Sequence, residues 1–111
     1  MKYLYYIDGQ KFTTDNKNRI PWNHISSPDE QTPAFENLST GEKRWCLKGQ
    51  IDHRLIGPAR INKYKIGGFY LNNVYYYNNV SQWLKDHPNP DLYFDAIGLS
   101  ETERVLWFLQ N

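Results

Sequence analysis

A short pattern of aromatic, aliphatic and turn-forming residues occurs three times in this chain, and it narrows the folds open to it. Tyr5-Tyr6-Ile7-Asp8-Gly9-Gln10, Trp45-Cys46-Leu47-Lys48-Gly49-Gln50 and Phe69-Tyr70-Leu71-Asn72-Asn73-Val74 each read as a strand running into a two-residue turn. Asp-Gly, Lys-Gly and Asn-Asn supply the positive φ angles that tight hairpins require. Pro33-Ala34 and Pro58-Ala59 precede the last two copies at a spacing of 25 residues, room for about two short strands and their turns. His24 and His53 stand ahead of those Pro-Ala pairs. His53-Arg54-Leu55-Ile56-Gly57-Pro58-Ala59 is the compact version, and residues 24–34 hold the same frame with four more residues.

The pattern predicts an α+β chain: an antiparallel β-hairpin repeat sheet in meander order, followed by short C-terminal helices. A single domain spans 1–111, with the sheet in 1–79, a long loop over 15–32 and a helical cap over 80–111. Strands are expected at Tyr3–Ile7, Gln10–Thr14, Ala34–Leu38, Glu42–Leu47, Ile51–His53, Ala59–Tyr64, Gly68–Leu71 and Val74–Tyr77, with turns at Thr40-Gly41 and Gly67-Gly68. Asn79 or Ser81 can cap a helix that stops before Pro88, and Gly98 closes a second one. Ser100-Glu101-Thr102-Glu103 is a capping box that starts a third. Helices are required because an antiparallel sheet has two faces and open edges to cover.

His53, Arg54, Gly57, Pro58 and Ala59, with the aromatic strands and their turns, resemble the small hairpin-repeat proteins of tailed phages and giant viruses, which are similar to MORN repeats in build. Trp83-Leu84-Lys85 and Leu99-Ser100-Glu101-Thr102-Glu103 resemble the ending of that group, so the likeness covers roughly 33–110. It implies a hairpin-repeat fold and a viral setting, with no common activity to carry over. Residues 13–32 depart from it.

Composition excludes several functions. Eighteen of the 111 residues are Tyr, Phe or Trp, ample material for a core, so the chain is not a disordered one. No apolar run approaches the ~18 residues of a membrane span, and the N-terminus has no secretory h-region, so a cytosolic place (the host cytosol, given the viral setting) is expected. Cys46 is the one cysteine, which excludes an internal disulfide and a multi-Cys zinc site. The net charge of +1 is uneven: residues 1–42 sum to −2, 43–65 to +6 and 80–111 to −3. A basic middle between acidic ends suits an acidic partner or internal neutralisation.

No catalytic constellation is legible. His24, His53 and His87 fall in no metal-ligand spacing, so no metal or other cofactor is expected. Neighbours on a strand point to opposite faces, so Asp52 and His53 are not expected to cooperate. Cys46, beside Trp45, reads as a buried thiol rather than a nucleophile. Arg54 is expected to bond turn carbonyls or a carboxylate, His53 its own turn, and Gly57 to adopt positive φ. The reading is therefore non-enzymatic: a small phage-encoded module that docks on and inhibits a host defence or regulatory protein. Its contacts are sought in Tyr75, Tyr76 and Tyr77, where alternation must turn some rings outward, and in Trp22, Ile25 and Asp29 of the long loop. The alternative is a nucleic-acid binder using Lys43, Arg44, Arg60, Lys63 and Lys65, with Trp45, Tyr64, Phe69 and Tyr70 as stacking rings.

Overall fold

The computed structural model describes residues 2–110. Strands β1 (Tyr3–Ile7) and β2 (Gln10–Thr14) form the first hairpin, turned by Asp8-Gly9 at φ 48° and 79°. Two successive positive φ angles give the turn a twist that matches the strands. Strand β3 (Phe35–Asn37) pairs with β1, and β4 (Lys43–Arg44) with β3. At Trp45 the chain leaves this sheet. It builds a separate hairpin from β5 (Cys46–Leu47) and β6 (Ile51–Asp52), then returns as β7 (Arg60–Ile61) beside β4. Strands β8 (Gly67–Leu71) and β9 (Val74–Tyr77) close the sheet across Asn72-Asn73, at φ 46° and 71°. The result is a seven-stranded antiparallel meander, β2-β1-β3-β4-β7-β8-β9, with the two-stranded excursion inserted between β4 and β7. Each aromatic copy is thus a hairpin. The two Pro-Ala corners match as well: Ala34 N–H donates to Arg44 O and Ala59 N–H to Gly68 O.

Several local expectations are corrected. The Glu42–Leu47 strand is split at Trp45, and the one expected over Ala59–Tyr64 is only Arg60–Ile61. Gly67 and Gly68 lie inside β8 rather than in a turn, and the chain reverses over residues 62–66. There Asn62 Oδ1 accepts from the Tyr64 and Ile66 N–H groups. In the β5–β6 hairpin the positive-φ pair is Gly49 and Gln50, one residue later than Lys48-Gly49. Gly57 does not have positive φ. Its lack of a side chain serves a close approach instead, since a Cβ there would sit 3.1 Å from Arg54 Nη1.

Three helices follow: α1 (Val80–Asp86), α2 (Asp91–Ile97) and α3 (Glu101–Gln110). Asn79 caps α1 by accepting from Gln82 N–H, and Gly98 ends α2 in the left-handed conformation. The Ser100/Glu103 capping box forms in both directions. Arg104 ties α3 to α2 through Asp91, Asp95 and the Leu99 carbonyl. Among the described residues no helix is long and apolar enough to cross a membrane.

Two separate hydrophobic cores result. The first holds Ile20, Ile25, Ala34, Phe35 and Cys46, with Tyr3, Tyr5 and Trp22 against it. The second holds Phe69, Leu71, Trp83, Leu84 and Phe94, where α1 and α2 cover the end of the sheet. Full burial of side chains such as Trp83, Phe94 and Ile25 contributes about 1.5–3 kcal/mol each. Two cores in line make the molecule long, 47 × 25 × 21 Å. Its radius of gyration of 15.1 Å exceeds the ~13 Å of a compact chain this size.

Candidate functional site

Between the cores the sheet is held by charge. Arg44 and Arg60 face each other across β4 and β7, and Asp52 reaches between them from β6. Asp52 Oδ1 accepts from Arg44 Nε at 2.8 Å, and Oδ2 from Arg60 Nε and Nη2 at 3.1 and 2.8 Å. The Asp52 side chain is 4% exposed, so both carboxylate oxygens must be satisfied inside the protein. Asn73, in the β8–β9 turn, completes the lock. Its N–H donates to Asp52 O and its Oδ1 accepts from Asp52 N–H. The side-chain exposure of Arg44 is 14% and that of Arg60 is 50%, so Arg60 presents charge to solvent.

From Arg60 an aromatic stack runs to the sheet edge. Its guanidinium lies over Tyr70, 5.7 Å from the ring centre. Tyr70 stacks on Tyr75 at 4.7 Å, and Tyr75 meets Tyr77 at 4.2 Å. Gly68 makes the space. A Cβ there would stand 3.0 Å from Tyr75 Cε1 and 3.5 Å from Tyr70 Cε2. A β-bulge at Phe69/Tyr70 leaves Tyr76 as the extra residue of β9. Its ring packs on the second core and its hydroxyl donates to Asp86 at 2.7 Å. Tyr75 and Tyr77 stay 46% and 66% exposed, uncovered by the helices.

The same face continues into two depressions that share Arg60 and Asn62. One, of about 260 Å³, is lined by Lys17, Trp22, Phe35, Lys43, Arg44 and Arg60. The other, of about 170 Å³, lies against Ile66, Gly68, Tyr70 and Tyr75. Trp22 packs on Phe35 with ring centres 5.0 Å apart, and Lys17 Nζ stands 5.9 Å from both rings.

The structure brings Trp22, Arg44, Arg60, Tyr75 and Tyr77 to this face and sends the other candidates elsewhere. Lys43 borders the larger depression, but it pairs with Glu36 and Ile61 and so belongs to the opposite side of the sheet from Arg44. Ile25 is fully buried in the first core, so the expectation of a partner contact there is corrected. The long loop folds back on itself, and Ile20 and Ile25 become the lid of that core. Asp29 is exposed but accepts from the Gln31 and Thr32 N–H groups, closing a local turn. Hydrogen bonds from Thr32, then Gln31, hold its carboxyl below the ordinary value. Lys63 and Lys65 occupy the turn between β7 and β8, with Lys63 beside the exposed ring of Tyr64. Trp45 and Phe69 are buried and cannot stack bases, which corrects half of the expected ring platform. Asp52, Lys17 and Phe35 were absent from the candidates. Asp52 stands eight residues from each of its arginines, a spacing that does not by itself single them out from the nearer Arg54.

The repeat corner is built from side chains. Arg54 lies 3.6 Å over the Trp45 ring and donates to Glu30 O and Pro58 O. Burial, opposed by Glu30, brings its pKa down to about 10. His53 Nδ1 accepts from Asn72 N–H at 2.9 Å, so it holds the β8–β9 turn rather than its own. Cys46 is fully buried, and burial raises its thiol to about 11, far from a reactive thiolate. Among the described residues, His, Cys, Asp and Glu side chains nowhere gather in threes as metal ligands. Comparison with known protein families, with curated proteins and with solved structures finds no match to this chain.

Proposed function

We propose that this chain is a non-enzymatic protein-binding module that docks a partner on the open face running from Trp22 through Arg60 to Tyr77. The observation that carries this reading is the stack of Arg60, Tyr70, Tyr75 and Tyr77, open to solvent at Arg60, Tyr75 and Tyr77. Tyr, Trp and Arg are the residue types that dominate binding hot spots. A stack already ordered in the free protein loses little rotamer freedom when a partner arrives. The resemblance to phage and giant-virus hairpin-repeat proteins extends the reading to a host partner in the cytosol, a defence or regulatory protein that docking inhibits.

Photo-cross-linking tests it. With p-benzoylphenylalanine in place of Tyr77, irradiation in a nuclease-treated bacterial lysate is expected to give a discrete protein adduct. The same probe in place of Lys11, exposed on the opposite edge strand, is expected to give none. Adducts from both positions, or from neither, count against docking at this face. Nucleic acid is the second reading, favoured by the convergence of Lys17, Arg44 and Arg60 on one depression. Asp52 and Glu42 reduce that charge, and two of the expected stacking rings are interior.

A further inference from the structure

We infer that the partner presents an acidic linear segment, about six residues in extended form, seated along the two joined depressions. The inference rests on the protein-docking reading and names the chemistry of the docked element.

Three features of the groove select it. The first is charge. Lys17, Arg44 and Arg60 charge the larger depression against Glu42 at its wall and Asp52 beneath it, while Lys43, which alternates with Arg44 on β4, belongs to the other side of the sheet. The surplus is one positive charge, matched by a segment with one or two carboxylates. A polyphosphate demands more: its affinity comes from releasing counterions at many contacts, and here Asp52 already occupies two guanidiniums. The second feature is the rings. Trp22 and Phe35 wall one half, Tyr70 and Tyr75 the other, so apolar or aromatic side chains alternate with carboxylates along the segment. The third is length. The groove crosses from β3 to β9, five neighbouring strands, which is ~19 Å at the usual strand spacing and the reach of about six extended residues. Arg60 and Asn62 belong to both halves and so stand at the midpoint, where a carboxylate pairs with the solvent-facing guanidinium.

The test selects random dodecapeptides displayed on bacterial cells against the folded full chain, then measures the best of them by fluorescence anisotropy. Recovered sequences are expected to be enriched several-fold in Asp and Glu next to aliphatic or aromatic residues. Replacing those acids by Asn and Gln is expected to weaken binding about tenfold. A Lys17→Ala variant is expected to bind severalfold more weakly at an unchanged melting temperature. That lysine is chosen because Arg60→Ala also unpairs Asp52 and can weaken the fold. Peptides without acidic enrichment, no selected peptide, or full binding by the lysine variant would each overturn the inference. So would tighter binding of a single-stranded oligothymidylate, with affinity falling steeply between ~50 and 200 mM salt. If Tyr77 still cross-links a protein while acidic peptides are ignored, the segment chemistry fails and the docking reading stands. If Tyr77 captures no protein, the docking reading fails with it.

Discussion

Asp52 is held by two guanidiniums and by the turn of the next hairpin, and each bond joins a different stretch of the chain. Asp52→Asn leaves Arg44 facing an uncharged amide in a buried site. The expected loss is about 3 kcal/mol in a urea titration, low in the range for a broken buried pair because Arg60 is half in water. A loss under about 1 kcal/mol would show that the seam contributes little. His53 sets a pH dependence. Burial, together with His87 and against Glu30, lowers its pKa below the ordinary 6.5, and its Nδ1 must stay unprotonated to accept from Asn72. The unfolded state therefore binds the proton more readily, so this contribution is full above pH ~6.5 and is lost as pH falls toward the folded value. Stability measured from pH 7.5 to 5 (both ~) is expected to decline, with a shallower slope in His53→Ala; equal slopes would contradict this role. These roles were only partly legible. Arg54 bonding turn carbonyls followed from the corner motif, whereas Asp52 gained its partners only when β4 and β7 paired. Nothing local marks which nearby Arg a carboxylate will meet.

At the scale of elements, the two glycines of β8 do different work. A Cβ on Gly67 would meet Pro58 Cβ and Cγ at 2.8 Å, and the proline ring has no rotamer to yield. Gly67→Ala is expected to cost about 1–3 kcal/mol through displacement of the corner against the strand. A Cβ on Gly68 meets the Tyr75 ring, which can swing into solvent. Gly68→Ala is expected to keep the melting temperature within a few degrees while altering the near-ultraviolet circular dichroism of the stack. Unchanged dichroism would mean that Gly68 does not set the ring arrangement. The hairpins were readable because turn chemistry is local: Asp8-Gly9 and Asn72-Asn73 are residue types that take positive φ at little cost, and here they do. Gly67-Gly68 misled for the same reason, since glycine also serves a strand where two elements approach closely. The fate of Ile25 was hidden because burial of a loop residue depends on which surface the loop falls back on.

Taken as a whole, the molecule is two cores joined by a sheet whose middle is polar on the open face. The apolar pairs are at the ends, with Phe35 and Cys46 at one and Phe69 and Trp83 at the other, while Arg44, Asp52 and Arg60 span the gap. That division leaves the charged middle and the tyrosine edge uncovered, and so creates the face proposed for binding. Meander order followed from the repeat and the C-terminal helices from their caps and stops; the double core did not, because periodicity says which residues are apolar and not which cluster they join. The face is most directly tested by capturing partners from nuclease-treated bacterial lysate with the tagged chain and with a Tyr75→Ala/Tyr77→Ala variant, quantified by mass spectrometry. Both side chains are largely exposed, so the variant is expected to melt with the parent chain. The expected result is a discrete protein on the parent chain, reduced about tenfold or more on the variant. Equal recovery by the two, or bound material found only where nuclease was left out, would contradict protein docking on this face.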